Sequence, residues 1–84
     1  MVPADDFAIT AYPNPVKGIV TVDIRGAQHD DARATLTDIT GKPVSEIAVR
    51  NHKFNIDLSG LPGGIYLLRY TDALHTQTIK INKQ

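Results

Sequence analysis

Few residues of this sequence have the types and spacing that catalysis requires. The three histidines, His29, His52 and His75, lie far apart, and no two of them have the spacing of a metal-binding pair. Ser45 and Ser59 lack the flanking glycines of a nucleophile elbow. These patterns are typical of polar surface residues, so we predict a protein that is not an enzyme.

Two acidic pairs and a group of glycines are the remaining candidates for a ligand site. The pairs Asp5-Asp6 and Asp30-Asp31 could offer carboxylates to calcium, but they lack the alternating oxygen ligands and the glycine of a calcium-binding loop. Gly60, Gly63 and Gly64 do not match a phosphate-binding loop, because no helical segment follows them. We interpret the aspartates as solvated loop residues and the glycines as turn residues, and we predict no metal and no cofactor.

The composition argues against further classes of protein. Nine basic and nine acidic residues cancel, which disfavours binding to nucleic acid or to anionic lipid. Aromatic residues make up 6% of the chain, too few for a surface that stacks sugars or single strands. The longest apolar run, residues 65–68, is too short for a transmembrane helix. The chain also begins without a secretory signal and contains no cysteine.

Short segments rich in β-branched residues recur at a spacing of roughly ten residues, with turn residues between them. No window shows apolar residues at helical spacing. After a polar linker over residues 1–6, we predict seven strands, over residues 7–12, 19–25, 33–39, 44–50, 53–58, 65–71 and 75–82. This pattern predicts an all-β domain over residues 7–84, a seven-stranded antiparallel immunoglobulin-like β-sandwich, with a small barrel as the alternative.

Alternation within the predicted strands separates an inward face from an outward face. Apolar residues at every second position of a strand lie on the same face, so we expect them to meet in one core. The predicted core residues are Val20, Val22, Ile24, Leu36, Ile47, Val49, Phe54, Ile56, Leu58, Leu61, Tyr66, Leu68, Ile79 and Ile81. Arg69 interrupts a strand that is otherwise apolar, and we leave its surroundings open.

Three turns carry specific backbone chemistry. Pro13 and Pro15 fix their own φ and keep the residues before them extended, so residues 12–15 should form a stiff corner. Residues 38–41 place an aspartate first and Gly41 fourth, which favours a type I turn closed by a left-handed glycine. The pair Asn51-His52 is the candidate for a two-residue hairpin turn.

Residues 58–66 form the most informative segment. A strand ends at Leu58, Leu61 and Pro62 precede two glycines, and Tyr66 enters the next strand. In immunoglobulin-like sandwiches a tyrosine at this position donates a hydrogen bond back to the backbone of the corner. We therefore predict a tyrosine corner at Tyr66, with Leu61 covering the open end of the core.

The order of these motifs resembles a known family. A proline-rich corner over residues 12–15, a hairpin over residues 38–42, the corner over residues 57–66 and a last strand over residues 78–81 follow one another. Over residues 12–84, the series is similar to the type A C-terminal sorting domain of the type IX secretion system of Bacteroidota. The residues that build the motif are Pro13, Asn14, Pro15, Gly41, Leu61 and Pro62.

The resemblance implies a secretion label covalently attached to a larger cargo protein. Such a label crosses the periplasm, is recognised by the outer-membrane translocon, and brings its cargo to the outer-membrane surface or the medium. A sortase-like cysteine peptidase usually removes it there and joins the cargo to lipopolysaccharide. The residues that the resemblance offers for recognition are Gly63, Gly64, Tyr66, Lys80 and Lys83, with the alternative that Gly63, Gly64 and Tyr66 only build the corner. The alternative is an immunoglobulin-like accessory, spacer or sugar-binding module of a surface protein.

The last predicted strand, residues 75–82, is the candidate for contact with another chain. A strand at the edge of a sheet offers unpaired backbone groups. We expect the translocon to pair with this edge and to contact exposed Lys80 and Lys83. The same edge predicts that the isolated domain is a monomer or a strand-swapped dimer.

Overall fold

The computed structural model describes residues 7–26 and 32–84. The predicted linker over residues 1–6, His29 and the pair Asp30-Asp31 lie outside these residues. The described chain contains seven strands: β1 (Ala8–Tyr12), β2 (Ile19–Arg25), β3 (Arg33–Asp38), β4 (Pro43–Ala48), β5 (Lys53–Asp57), β6 (Gly64–Thr71) and β7 (Thr76–Lys83). Each predicted strand is present, with its ends shifted by at most about two residues, as is usual for boundaries read from sequence.

The strands form two antiparallel sheets. The smaller sheet has the order β1-β2-β5, and the larger one has the order β4-β3-β6-β7. The all-β prediction is confirmed, and the two sheets enclose one core in a sandwich-like arrangement. In the described part of the chain, no helix is long and apolar enough to cross a membrane.

The core follows the alternation of the strands. Along β2, Val20, Val22 and Ile24 are buried, whereas the residues between them are not. Ten of the fourteen predicted core residues are buried, and Ile47, Phe54, Leu61 and Ile79 pack against them partly exposed. Among the described residues, the buried core residues that the prediction left out are Ile9, Val16, Ala32, Ala34 and Tyr70.

The connection between β4 and β5 differs from the prediction. Asn51-His52 does not close a hairpin, because β4 and β5 belong to different sheets. The carbonyl oxygen of His52 accepts a hydrogen bond of 2.7 Å from the amide of Ile24, next to the β2–β5 ladder. The apolar face of β5 could be buried by either sheet, so its alternation alone does not select its partner strand.

The sheets approach each other along one side of the sandwich, where β1 contacts β7. There the side-chain amide of Gln77 donates a hydrogen bond of 3.4 Å to the carbonyl oxygen of Phe7. The contact brings the first strand of the smaller sheet against the last strand of the larger one. It also places the proline-rich segment that follows β1 beside the end of β7.

Candidate functional site

The sequence motifs meet at one end of the sandwich, which we call the motif end (residues 12–19, 38–43, 57–66 and 80–84). The register of the larger sheet aligns Asp38 with Tyr66 and Gly64 with Lys83. The β3–β4 turn, the start of β6 and the end of β7 therefore lie side by side. In the smaller sheet, Ile19 pairs with Asp57, which places the start of β2 and the end of β5 at the same end.

Tyr66 makes the predicted tyrosine corner. Its hydroxyl donates a hydrogen bond of 2.7 Å to the carbonyl oxygen of Pro62, and its ring is buried in the core. Leu61 packs against the core at the same corner, half-buried. The tyrosine thus joins the connection between the two sheets to the first residues of β6, as predicted for both side chains.

The two glycines of the corner differ in what they do. Gly64 has a φ of +152°, which side chains rarely adopt, although a Cβ there would meet nothing within 4 Å. Gly63 has no such φ, but a Cβ on it would lie 3.4 Å from the carbonyl oxygen of Lys83. Gly64 is therefore required by backbone conformation, whereas Gly63 lies against the end of β7.

The proline-rich corner binds the outer edge of β7. The side-chain amide of Asn14 donates a hydrogen bond of 2.9 Å to the carbonyl oxygen of Lys80, and its oxygen accepts one of 2.9 Å from the amide of Asn82. Val16 continues this pairing, with its amide 2.8 Å from the carbonyl oxygen of Asn82 and its own carbonyl oxygen 2.8 Å from the amide of Gln84. The side chain of Asn14 therefore makes the hydrogen bonds that the backbone of a neighbouring strand would make at this edge. We call residues 14–16 the β7 clamp.

The clamp corrects the prediction that β7 presents an open edge. The carbonyl oxygens of Lys80 and Asn82 and the amides of Asn82 and Gln84 already have hydrogen-bond partners in the clamp. The peptide bonds before Pro13 and Pro15 are both cis, and the fully buried Val16 anchors the segment in the core. Another chain could pair with the end of β7 only after displacing the clamp.

The two lysines proposed for recognition lie in different surroundings. Lys80 is exposed on the outer face of β7. Lys83 is 8% exposed, and its Nζ donates a hydrogen bond of 2.8 Å to the carbonyl oxygen of Gln84. The prediction that both lysines are exposed is therefore wrong for Lys83, because residue 83 has the inward parity of β7.

The β3–β4 turn has the predicted geometry. The amide of Gly41 donates a hydrogen bond of 3.0 Å to the carbonyl oxygen of Asp38, and Gly41 has a φ of +92°. The carboxylate of Asp38 accepts hydrogen bonds from the hydroxyl and amide of Thr40 and from the amide of Lys42. The Thr40 hydroxyl is the largest cause of a lowered pKa for this exposed carboxyl.

A second aspartate shapes the corner before Tyr66. The carboxylate of Asp57 accepts hydrogen bonds of 2.6 Å from the hydroxyl and 2.9 Å from the amide of Ser59, which lower its pKa. The amide of Leu58 donates to the carbonyl oxygen of Gly18 and so connects the corner to the start of β2. At the motif end, side chains mainly hold backbone in place.

The comparison with protein families identifies the type of domain. The family "Secretion system C-terminal sorting domain" matches residues 10–84. The chain belongs to this family. No curated protein matches it.

Family membership establishes the role in outline. The sorting domain is a C-terminal signal for type IX secretion, part of a larger cargo protein that is exported across the outer membrane. Domains of this kind are not themselves catalytic. Within residues 7–26 and 32–84, no three His, Cys, Asp or Glu side chains are grouped so that they could hold a metal ion.

The opposite end of the sorting domain contains a buried carboxylate that the sequence analysis missed. Asp72 is 9% exposed, and its oxygens accept hydrogen bonds from the Tyr70 hydroxyl at 2.6 Å and from the amides of Leu74 and His75 at 2.8 and 2.7 Å. The Nδ1 of His75 lies 3.2 Å from both carboxylate oxygens. We call these four residues the Asp72 cluster.

An aromatic contact and a lowered pKa further characterise the Asp72 cluster. The ring of His75 stacks on Phe7 with centroids 4.2 Å apart. Burial opposes ionisation of Asp72, but the hydrogen bonds from Tyr70, Leu74 and His75 together outweigh it and hold its pKa well below the ordinary value. The sequence does contain a signal for this cluster, because Tyr70, Asp72 and His75 lie within six residues around one turn. An aspartate before a turn commonly accepts hydrogen bonds from the amides two and three residues later.

Proposed function

We propose that the sorting domain folds in the periplasm and that the outer-membrane translocon recognises it in the folded state. A sortase-like cysteine peptidase then separates it from the cargo and joins the cargo to lipopolysaccharide. The observation that carries the proposal is the closed motif end. The matched region, residues 10–84, includes the β7 clamp, the tyrosine corner and all of β7, which depend on one another.

Lys80 and the corner glycines are the residues we propose for direct contact with the translocon. Lys80, Gly63 and Gly64 are exposed at or near the motif end. Tyr66 and Lys83 are buried, so we assign them an indirect role in which they keep the end of β7 and the corner in place. A partner that contacts this end would thereby detect whether the domain is folded.

A reporter fusion tests the sorting function. Residues 1–84 are appended to a periplasmic reporter in a strain with type IX secretion, and the reporter at the cell surface and in the medium is measured with and without the translocon. We expect export only when the translocon is present. A reporter that stays in the periplasm of the complete strain would contradict the proposal.

Charge reversal separates recognition from folding. Lys80→Glu changes an exposed residue, so the melting temperature should stay nearly the same while export falls. Lys53→Glu is the matched control, because Lys53 is exposed on β5 of the other sheet. Export of Lys80→Glu at the parental level would exclude direct contact of the translocon with Lys80.

The peptidase step has its own measurement. We expect the surface reporter to have lost the sorting domain in the complete strain and to keep it in a strain without the cysteine peptidase, as judged by mass spectrometry of the purified reporter. Surface reporter that keeps the domain in both strains would show that this label is retained, and the proposed removal would be wrong.

A further inference from the structure

The outer face of the larger sheet contains a groove that the motif end does not explain. It is shallow and open, with a volume of about 480 Å³. Its lining residues come from all four strands and the β3–β4 turn: Thr35, Thr37, Gly41, Pro43, Leu67, Arg69 and Thr78. The lining thus combines three threonines with two apolar side chains and one arginine.

The register of the sheet fixes the arrangement of these side chains. Arg69 pairs with Thr35 on one side and with Thr78 on the other, so the three form one row across the sheet. The neighbouring row contains Leu67 and Lys80, which pair with each other. Because diagonal neighbours in antiparallel strands lie about 7–8 Å apart, the cations Arg69 and Lys80 are neighbours on this face of the sheet.

Arg69 has no acidic partner in the described part of the chain. On the same face, Arg33 and Glu46 form an ion pair of 3.8 Å, whereas no described carboxylate pairs with Arg69. Folding does not require a cation at this position, since the side chain is exposed and points away from the core. The guanidinium therefore offers its donors to a ligand from outside.

We propose that this groove binds a carboxylate-bearing extended segment of a protein of the secretion machinery. The planar guanidinium of Arg69 matches a carboxylate with two parallel hydrogen bonds, and the hydroxyls of Thr35 and Thr78 flank it in the same row. Leu67 and Pro43 give the groove apolar surface for the residue next to the carboxylate. The proposal rests on the sorting function and specifies its partner's chemistry.

Charge argues for a peptide with a single carboxylate rather than for a polyanion. The whole chain has no net charge, and Glu46 lies on the same face as the groove. A phosphate-rich polymer or a lipid headgroup layer would need a broader positive surface than two cations supply. A short acidic and apolar segment requires only the arginine, the hydroxyls and the apolar wall.

Peptide titration tests the chemistry of the groove directly. The amide resonances of the 84-residue chain are followed by NMR while acetyl-Val-Glu-Val-amide is added, with acetyl-Val-Gln-Val-amide and heparin in parallel. We expect the glutamate peptide to shift the resonances of Thr35, Leu67, Arg69 and Thr78, and the glutamine peptide to bind at least about tenfold more weakly. Equal binding of both peptides, or tighter binding of heparin at the same residues, would overturn the proposal.

Export of the reporter fusion tests whether secretion depends on the groove. Arg69→Glu and the matched control Arg25→Glu, an exposed arginine at the end of β2 in the other sheet, are compared in the reporter fusion. We expect Arg69→Glu to keep its melting temperature and to reduce export at least about tenfold, with Arg69→Lys intermediate because it keeps the charge but not the paired donors. Arg25→Glu should be exported like the parent.

The outcomes distinguish the two levels of the proposal. If the parent fusion is not exported, the sorting function itself fails. If the parent is exported and folded Arg69→Glu is exported equally well, the groove proposal fails while the sorting function stands. Should Arg69→Glu be unfolded by circular dichroism, the neutral Arg69→Gln replaces it, and parental export of that variant would likewise overturn the groove proposal.

Discussion

The two ends of the sandwich are held together by different means. At the motif end, side chains hydrogen-bond to backbone: Asn14 to β7, Tyr66 to the corner, and Asp38 and Asp57 to their own turns. At the opposite end, one buried carboxylate, Asp72, collects hydrogen bonds from a hydroxyl and two amides. At the motif end the hydrogen bonds are distributed over several side chains, whereas at the opposite end they converge on one buried carboxylate.

This difference determines how the stability of the domain should depend on each end. Hydrogen bonds of solvent-exposed groups contribute little each, whereas a buried carboxylate that loses a donor, or donors that lose the carboxylate, cost more. A single substitution should therefore lower the free energy of unfolding less at the motif end than at the opposite end. Substitutions at the two ends test this.

The largest effect is expected at the opposite end. Asp72→Ala removes the acceptor of one buried hydroxyl and two part-buried amides and should lower the free energy of unfolding by about 3 kcal/mol. Urea denaturation followed by circular dichroism measures the change. Asp57→Ala at the motif end is the control, since its carboxylate is exposed, and it should cost clearly less. Equal losses for both variants would remove the distinction between the ends.

Acid should act through the same carboxylate. Because the pKa of Asp72 is lowered in the folded domain, its contribution is complete above the ordinary value of 3.8 and is lost as the pH falls below it. The free energy of unfolding, measured at about pH 6, 4 and 2, should therefore fall more steeply for the parent than for Asp72→Asn. Parallel curves would show that Asp72 is not the group that titrates.

The same substitution can be made once at each end. Tyr70→Phe removes a donor to a buried carboxylate and should cost about 2 kcal/mol, whereas Tyr66→Phe leaves the exposed Pro62 carbonyl to water and should cost about 1 kcal/mol. Both variants keep the ring, so the difference in urea midpoints reports the hydroxyls. A larger loss for Tyr66→Phe would reverse the order proposed for the two ends.

Backbone conformation gives the next effect. Gly64→Ala forces a φ of +152° on a residue with a Cβ and should cost roughly 1–2 kcal/mol, although no atom is near. Gly60→Ala is matched, because Gly60 also has open space around it but lacks the unusual φ, and it should be nearly neutral. Thermal unfolding of both variants is the measurement; two equal melting temperatures would disprove the conformational role.

The smallest effect concerns the β7 clamp. Asn14→Asp keeps the shape but loses the donor to the Lys80 carbonyl, which should cost about 1 kcal/mol. Asn82→Asp is the control, since the clamp binds Asn82 through its backbone. Amide hydrogen exchange should become faster at Gln84 in Asn14→Asp only, since the new carboxylate still accepts a hydrogen bond from the Asn82 amide. Unchanged exchange would mean that Val16 alone holds the edge.

Local patterns predicted most of the fold. Alternation located all seven strands, and glycine and proline located the Gly41 turn and the tyrosine corner, because each depends on residues close in sequence. The β4–β5 connection was wrong because choosing a sheet depends on packing that alternation does not encode. Val16 was missed since it lies outside any strand, in the clamp.

The site was harder to predict than the fold. The sequence predicted that the Tyr66 hydroxyl bonds to the backbone of its corner, and the structure shows that the acceptor is the Pro62 carbonyl. The two hydrogen bonds of Asn14, by contrast, reach partners that are 66 and 68 positions further along the chain, which no local pattern indicates. Lys83 was expected in solvent because charged side chains usually are, yet strand parity turns it inward. The Asp72 cluster was missed because the sequence analysis considered His75 alone, as a candidate metal ligand or catalytic residue, and did not consider Asp72.

The β7 clamp has a consequence for the timing of folding. The hydrogen-bond partners of Asn14 and Val16 lie in residues 80–84, which are synthesised after all seven strands have begun. Pairings between such distant parts of a chain form slowly, on the order of milliseconds to seconds for all-β domains. The clamp can therefore close only after residues 80–84 are available, whereas β1 and β2 can pair earlier, and a domain cut short of residue 84 would lack the contact between Val16 and Gln84. Closure of the clamp therefore requires that β7 is present to its end.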